Sequence, residues 1–162
     1  MSFALLPLSK PQLEWLAASQ EPADLADRAE PGSFPPPFVA ARSLKLASED
    51  QAEPWSTSFL IVRTEDSRFV GACGFKAVPE AGQVQVGYGV APAARCTGAA
   101  TAALKMLTDF AFEAGASEVL AEVVPENIAS IRVVQKAGFL QVGSRQDEDN
   151  EYVLQWLRRS GA

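Results

Sequence analysis

Hydrophobic and polar positions alternate in the middle of the chain and then change period. Between Gln83 and Val90 every second residue is apolar, which predicts a strand with one buried face. From Ala99 the apolar residues recur at spacings of three and four, which predicts an amphipathic helix that ends before Gly115. These helical positions are Ala99, Ala102, Ala103, Met106, Leu107, Phe110, Ala111 and Ala114. A turn of mainly small residues therefore joins a central strand to a central helix.

The same criteria predict the remaining elements. Helices are expected at 10–18 and 127–137 and from Val39 to about Gln51, with a weaker helical pattern at 21–30 and an irregular proline-rich segment at 31–37. Further strands are expected at 3–8, 58–63, 69–75, 117–124, 139–142 and 151–157, and Gly143 is expected to end the strand at 139–142. This order predicts an α/β domain of the α+β type, spanning 1–162, with a mixed, mainly antiparallel sheet of about six to seven strands flanked by helices.

The turn that precedes the central helix has the features of an anion site. The first N–H groups of a helix have no partner inside it, and the helix dipole adds partial positive charge at that end. Arg95 stands beside these groups, and the residues from Cys96 to Ala100 have small side chains. We therefore predict that phosphate groups bind here.

Composition and charge limit the classes of function. The chain is 48% apolar, and no apolar run is long enough to cross a bilayer. A net charge of −6 argues against nucleic acid as a partner and favours cationic substrates, although mild acidity also serves solubility. The N-terminus lacks a signal-peptide pattern and is interpreted as the first strand, so we expect a cytoplasmic protein without a membrane partner.

Histidine and cysteine usage excludes several kinds of site. The chain has no histidine, so an imidazole base, a histidine-based metal site and a Ser-His-Asp triad are excluded, and we predict no metal. Cys73 lies in a strand pattern and is expected to be a buried small hydrophobe. Cys96 has two interpretations. It is either a thiol activated by the helix N-terminus or, as we favour, simply a small side chain in the turn.

Two motifs resemble the GNAT superfamily of N-acetyltransferases. Arg95-x-x-Gly98-x-Ala100 resembles its pyrophosphate loop, and the segment 127–139 resembles its second motif in the form typical of ribosomal-protein-alanine acetyltransferase-like members. The resemblance covers roughly 59–156. It implies transfer of an acetyl group from acetyl-CoA to an amine by direct attack in a ternary complex, the amine being a protein N-terminus or a small amine. The alternative is a non-catalytic acyl-CoA-binding module of the same fold.

The resemblance also assigns residues to the coenzyme. Backbone N–H groups would hold the diphosphate, together with the Arg95 side chain. The residues concerned are Cys96, Thr97, Gly98, Ala99, Ala100 and Thr101. Cys96 and Thr97 replace the glycine and basic residue usual in the family, so Arg95 is the only cation in the turn and phosphate binding is expected to be weaker than usual. Close packing of the helix on the sheet also explains the small residues.

The central strand contains two interior glycines, Gly87 and Gly89, which are typical of a bulge or a close backbone approach. The resemblance implies a bulge that splays this strand from the one at 117–124. The pantetheine arm would lie in the gap against Tyr88, Gly89 and Val90, with a backbone N–H near Val90 on the thioester carbonyl. The alternative is an ordinary twisted strand.

Asn127 and Ser130 share one face of the predicted helix at 127–137 with apolar residues. The resemblance implies that Asn127 contacts the pantetheine amides and that Ser130 lies near the sulfur as the general acid, because Val134 stands where many members have a tyrosine. The structural alternatives are an N-cap for Asn127 and a hydroxyl bonded one turn back for Ser130.

The general base and the acceptor are left open. Some relatives have a glutamate at the position of Gln85, and an amide cannot accept the proton. Glu53, Glu80 and Glu122 have two interpretations, a base linked to the amine through water or, as we favour, a solvated surface charge, and none is assigned as base. In the related enzymes the region 20–55 covers the acceptor, although plain surface helices explain it equally well. The assembly is expected to be a monomer or a homodimer.

Overall fold

The computed structural model describes residues 1–50 and 53–161, and its strands form one seven-stranded sheet. The strands are β1 (Phe3–Pro7), β2 (Ser58–Arg63), β3 (Arg68–Phe75), β4 (Gln83–Val90), β5 (Glu118–Val123), β6 (Leu140–Gln146) and β7 (Tyr152–Arg159). The α-helices are α1 (Lys10–Ala17), α2 (Pro37–Ser48), α3 (Ala99–Glu113) and α4 (Ile128–Lys136). Short 3-10 turns lie at Ala26–Arg28 and Pro92–Ala94.

The strands lie in the order β1-β2-β3-β4-β5-β7-β6. Every neighbouring pair is antiparallel except β4 with β5. The predicted α/β fold with a mixed, mainly antiparallel sheet flanked by helices is therefore confirmed. The single parallel pair lies at the centre, and α3 connects its two strands.

Helices cover the two faces of the sheet differently. On one face α3 and α4 bury a large cluster that includes Leu104, Leu107, Val84, Val119 and Val134. On the other face α1 and α2 pack over β2 and β3 in a smaller cluster around Leu13, Leu16, Ala40, Leu60 and Phe69. That smaller cluster contains no residue of β4 to β7. Those strands carry hydrogen-bonded polar side chains on this face, including Gln85, Glu122 and Gln155.

Local signals fix several element ends as predicted. The Ser9 hydroxyl accepts from the Gln12 N–H and the Gln12 side chain accepts from the Ser9 N–H, a capping box that starts α1. Helix α3 runs from Ala99 to Glu113, and Gly115 follows it with φ +102°, which glycine adopts without strain. Cys73 is buried as expected, and this burial raises the pKa of its thiol to about 12.

Other element predictions are wrong. The weak helical pattern at 21–30 forms only the 3-10 turn Ala26–Arg28. Helix α2 begins at Pro37, inside the segment predicted to be irregular, because proline is tolerated in the first helical turn. It ends at Ser48, and the predicted end near Gln51 lies outside the described residues. Gly143 does not end β6 but lies at a register shift within it, and the strand continues to Gln146.

Within the described part of the chain, none of the helices combines the length and the apolar character needed to span a bilayer.

Candidate active site

A gap opens between β4 and β5 because their pairing stops early. The parallel register runs only from Gln83–Glu118 to Gln85–Leu120. Residues 86–90 continue β4, but they pair only with β3, on the side away from β5. The splay predicted between these strands is therefore present.

Backbone alternation determines which groups point into this gap. The Lys76 N–H donates to the Gln85 carbonyl (2.8 Å) and the Ala91 N–H donates to the Val70 carbonyl (2.8 Å), so the odd-numbered residues of β4 bond to the β3 side. In an antiparallel pair the intervening residues direct their backbone groups the other way. The backbone N–H and C=O groups of Tyr88 and Val90 therefore point into the gap.

The predicted bulge in β4 is not present. The register between β3 and β4 runs without a shift from Phe75–Val86 to Gly71–Val90. The close backbone approach involves Gly71, where an added Cβ would collide with the carbonyl oxygen of Gly89. The strands separate because β5 leaves β4 after three paired residues, while β4 itself stays regular.

The turn that follows β4 enters α3 through a glycine. Gly98 is the N-cap residue, with φ +86°, and no side chain of the described residues caps the helix. The Ala102 N–H donates to the Gly98 carbonyl (3.0 Å), which is the first hydrogen bond of the helical ladder. The three N–H groups before it, those of Ala99, Ala100 and Thr101, have no carbonyl within the helix.

Side chains leave this helix end accessible. An added Cβ on Gly98 would meet no heavy atom of the described residues within 4 Å, so the space beside the amides is open. Arg95 is exposed, and the Thr97 hydroxyl donates to the Ala94 carbonyl (2.7 Å) and holds the turn. Cys96 is exposed with φ +61°, a left-handed conformation that glycine adopts more readily.

Two hydroxyl groups meet on one side of the gap. The Tyr88 hydroxyl on β4 and the Ser130 hydroxyl on α4 lie 2.6 Å apart. Ser130 therefore reaches across to β4, and its predicted alternative, a bond one turn back along the helix, is wrong. Burial raises the pKa of Tyr88, while its hydrogen bond with Ser130 acts in the opposite direction. The phenol accordingly stays protonated at neutral pH.

Asn127 is the N-cap residue of α4. Its side-chain oxygen accepts from the Ser130 N–H (3.1 Å), so the structural alternative for this residue is confirmed. An asparagine side chain also has two N–H donors, which capping does not use. Val134, at the position where many relatives have a tyrosine, is fully buried and contributes only to the core.

Glu122 is not the solvated charge that the sequence predicted. Its side chain is only 7% exposed. The carboxylate accepts hydrogen bonds from Arg145 (2.5 and 2.7 Å), Gln85 (3.0 Å) and Gln155 (3.1 Å). The pKa of this carboxyl is lowered, mainly by the hydrogen bonds from Arg145. A lowered pKa makes a carboxylate a weaker base, so Glu122 is a poor candidate for the missing general base.

The other two glutamates lie away from the gap. Glu80 pairs with Gln83 at the beginning of β4, and Glu53 lines a surface pocket between α1 and α2. A larger pocket, of about 390 Å³, lies near the C-terminal end of α4 and contains none of the predicted site residues. Among the described residues, no group of three or more cysteine and acidic side chains has an arrangement that holds a metal ion.

Lys76 is a residue near the site that sequence reasoning missed. Lys76 follows β3, and its Cε lies 3.2 Å from the position that a Cβ on Gly87 would take, so the side chain crosses β4 on the face opposite α3. Alternation after the buried Phe75 places Lys76 on that face, but its neighbours depend on the pairing of β3 with β4.

Comparison with known families and proteins gives consistent matches. The family model for the Acetyltransferase (GNAT) domain matches residues 10–140. The chain is 26% identical over 106 residues to an uncharacterized N-acetyltransferase p20 of Bacillus licheniformis, a match that covers 64% of this chain and 60% of that protein. The matched region therefore spans less than two thirds of that relative.

Solved structures share the fold. A ribosomal-protein-S5-alanine acetyltransferase from Vibrio fischeri superposes with a TM-score of 0.70 at 16% identity, over 99% of this chain and 94% of that one. The Mycobacterium smegmatis RimJ in complex with CoA-disulfide gives 0.66 at 24% identity, over 98% and 82%. A mutant of the spermidine N-acetyltransferase SpeG from Vibrio cholerae gives 0.67 at 14% identity, over 97% and 93%.

Proposed function

Because this chain belongs to the acetyltransferase (GNAT) domain family, we propose that it transfers an acetyl group from acetyl-CoA to an amine. The amine attacks directly in a ternary complex, and the acceptor is a protein N-terminus or a small amine. We further propose that residues 1–162 act as one domain. The support for this is that β1 near the N-terminus and β7 near the C-terminus belong to one sheet.

One observation carries the proposal. Strand β4 runs along the β4–β5 gap and leads through a single turn into the uncapped start of α3. Both features are built from free backbone N–H groups, which suit the amides of a pantetheine arm and a diphosphate. Arg95 adds positive charge at the turn, and the open space beside Gly98 leaves the start of the helix accessible to phosphate. The residues present thus fit a coenzyme A group. Bound acetyl-CoA would supply an acetyl group activated as a thioester.

The residues of the gap would take distinct roles in the transfer. The Val90 N–H would donate to the thioester carbonyl oxygen, which gains negative charge as the amine attacks. The Ser130 hydroxyl would donate to the sulfur. Tyr88 would orient Ser130, because a Tyr88 hydroxyl that donates to the Ser130 oxygen leaves the serine hydrogen free for the sulfur. Asn127 would fix the position of Ser130 through its cap.

Atoms and charges balance without a covalent enzyme intermediate. A bond forms between the amine nitrogen and the acetyl carbon, the carbon–sulfur bond breaks, and its electron pair goes to sulfur. The amine loses one proton and the thiolate gains one. Since the lowered pKa of Glu122 makes it a weak base, the proton leaves the amine to water, and the rate should rise with pH until the free amine predominates.

The test is release of free thiol from acetyl-CoA by the purified chain. The panel of amines should include short peptides with free N-termini and small amines of different charge. Release that depends on both acetyl-CoA and an amine is expected, with the acetylated amine as second product. Tight binding of acetyl-CoA without turnover on any amine would instead identify a non-catalytic acyl-CoA-binding module.

A further inference from the structure

Strand β6 lies at one edge of the sheet and is open on one side. It is the last strand in the sheet order, and among the described residues it pairs only with β7. The Asp147 N–H donates to the Glu151 carbonyl (2.8 Å), so the odd-numbered residues at this end of β6 bond towards β7. The backbone groups of Ser144 and Gln146 therefore point away from the sheet, where another strand can pair with them.

The beginning of β6 lies beside a basic pocket. This is the pocket of about 390 Å³ at the end of α4, and it includes Leu140 and Val142, which are 73% and 54% exposed. The described residues that line it include no acidic side chain, and four of them are basic: Lys105, Lys136, Arg158 and Arg159. Arg159 pairs with Glu118, whereas neither lysine forms an ion pair within residues 1–50 and 53–161. This end of the strand thus has uncompensated positive charge.

The other end of β6 is acidic. It leads into a turn with four carboxylates, those of Asp147, Glu148, Asp149 and Glu151. In the described part of the chain none of the four forms an ion pair within 4 Å. Arg145 binds Glu122, and this contact raises its pKa more than the charges of Asp147 and Glu148 do. One arginine therefore offsets only part of the negative charge, and the two ends of β6 are oppositely charged.

A single chain cannot bring these two ends together. Leu140 and Gln146 are the first and last residues of a seven-residue strand and lie about 20 Å apart. An antiparallel pairing with β6 of a second copy sets the basic end of each strand beside the acidic end of the other, and two-fold symmetry makes this contact twice. We propose that the chain forms a homodimer in which the two β6 edges pair antiparallel and continue the sheet from one copy to the other.

Backbone direction and charge select the register of this pairing. A pairing centred on Arg145 would place two guanidinium groups opposite each other. A pairing centred on Gln146 would bring the acidic turn of the second copy only as far as Gly143. Centring on Ser144 pairs this residue with its own copy and brings that turn over Leu140 and the basic pocket. This inference does not depend on the proposed acetyl transfer, and it selects the homodimer from the two assemblies expected from the sequence.

Sedimentation equilibrium of the purified chain tests for the dimer. We expect a reversible equilibrium between monomer and dimer that shifts towards monomer as the salt concentration rises, because the opposed charges are exposed to solvent. A chain that stays monomeric up to its highest soluble concentration would overturn the inference.

Charge reversal tests which groups meet. Lys136→Glu and Glu148→Lys should each raise the Kd of the dimer by about tenfold or more, since the contact occurs twice. The double variant restores opposite charges and should return to within about threefold of the native Kd. Lys45→Glu is the matched control and should change nothing, because Lys45 lies in the last turn of α2 as Lys136 lies in the last turn of α4.

Circular dichroism identifies any reversal that fails to fold, and the remaining reversal then decides the result. A dimer whose Kd responds to neither reversal, or responds equally to Lys45→Glu, would overturn the proposed contact.

Cross-linking tests the register. Ser144→Cys should place two thiols on facing strands with their Cα atoms about 5.5 Å apart, within reach of a short bismaleimide. Cys96 is exposed, so it is replaced by serine in these proteins. Glu14→Cys, exposed on α1 over β2 and β3, is the control. We expect a covalent dimer from Ser144→Cys and none from Glu14→Cys. Equal yields from the two, or no covalent dimer from Ser144→Cys, would overturn the inference.

Discussion

At the scale of single residues, the contact between Ser130 and Tyr88 has the most direct consequence for catalysis. Their hydroxyl groups lie 2.6 Å apart at the gap where β4 separates from β5. Serine alone is a poor proton donor, whereas a serine oriented by a protonated phenol presents its hydrogen in a fixed direction. We interpret Ser130 as the group that stabilises the departing sulfur and Tyr88 as a positioning residue.

Ser130→Ala should lower kcat by about ten- to a hundredfold, since an oriented donor to the leaving group is lost. Tyr88→Phe should lower kcat by about tenfold or less, since only one neutral hydrogen bond is removed. Steady-state kinetics with acetyl-CoA and the best amine of the panel would measure both.

The control for these variants is restoration of the hydroxyl. Ser130→Thr should regain most of the lost kcat, and the KM for acetyl-CoA should change little in any of the three. If Ser130→Ala keeps the native kcat, the hydroxyl pair has no part in the chemistry.

Sequence reasoning identified those residue roles that are determined by neighbouring residues in the sequence. Asn127 as an N-cap follows from its residue type and its place before a helical pattern, and the cap is present. The partner of Ser130 is 42 residues away on β4, so no local pattern names it. Lys76 was missed for the same reason, since its place over Gly87 arises only when β3 pairs with β4.

At the scale of elements, strands β3 and β4 approach so closely that one position requires glycine. Gly71→Ala should lower the free energy of unfolding by about 1–3 kcal/mol, because its Cβ would collide with the Gly89 carbonyl oxygen. Gly89→Ala, on the adjacent strand, should stay within about 0.5 kcal/mol of the native value, since its Cβ points into open space.

Urea unfolding of the two variants, followed by circular dichroism, would measure this difference. Equal destabilisation by both substitutions would contradict the close approach of β3 and β4 at Gly71.

Element ends were predictable where local chemistry fixes them. Residues close together in the sequence determine both the capping box at Ser9 and Gln12 and the end of α3 before Gly115. Gly143 was misread because a glycine can either end a strand or take up a register shift, and only the pairing with β7 decides between them. The pattern at 21–30 contains a proline and two aspartates, and it forms only a 3-10 turn.

At the scale of the whole molecule, the Glu122 carboxylate joins four strands of the sheet. It lies on β5 and accepts from Gln85 of β4, Gln155 of β7 and Arg145 of β6. Because these contacts lower the pKa of Glu122 in the folded state, they stabilise the fold above the unfolded-state pKa of about 4.3. This stabilisation is lost as the pH falls through the lower pKa of the folded state.

Glu122→Gln should therefore lower the free energy of unfolding by about 1–3 kcal/mol at pH 7. The difference from the native chain should shrink as the pH falls from the unfolded-state pKa of about 4.3 through the lower pKa of the folded native carboxylate. Urea titrations at a series of pH values would measure it, with Glu126→Gln on the exposed surface as control. A difference that stays constant with pH would contradict the assignment of a charged Glu122 at the centre of this network.

The sheet as a whole was only partly predictable. Periodicity gave the strands and helices, and so the mixed α/β class, because each element carries its own pattern. The strand order and the gap between β4 and β5 depend on pairings between distant segments, and the splay was anticipated only through the family resemblance.

The central claim is that the free amides at the start of α3 bind the coenzyme's diphosphate, and calorimetry with coenzyme A tests it most directly. Ala100 is the second residue of α3 and partly exposed. Ala100→Glu should weaken coenzyme A binding by about tenfold or more through charge repulsion, yet it should not destabilise the helix, since acidic residues suit a first turn. Ala100→Gln, of equal size and without charge, should stay within about threefold of the native affinity. Equal affinity of the native chain and Ala100→Glu for coenzyme A would contradict the claim.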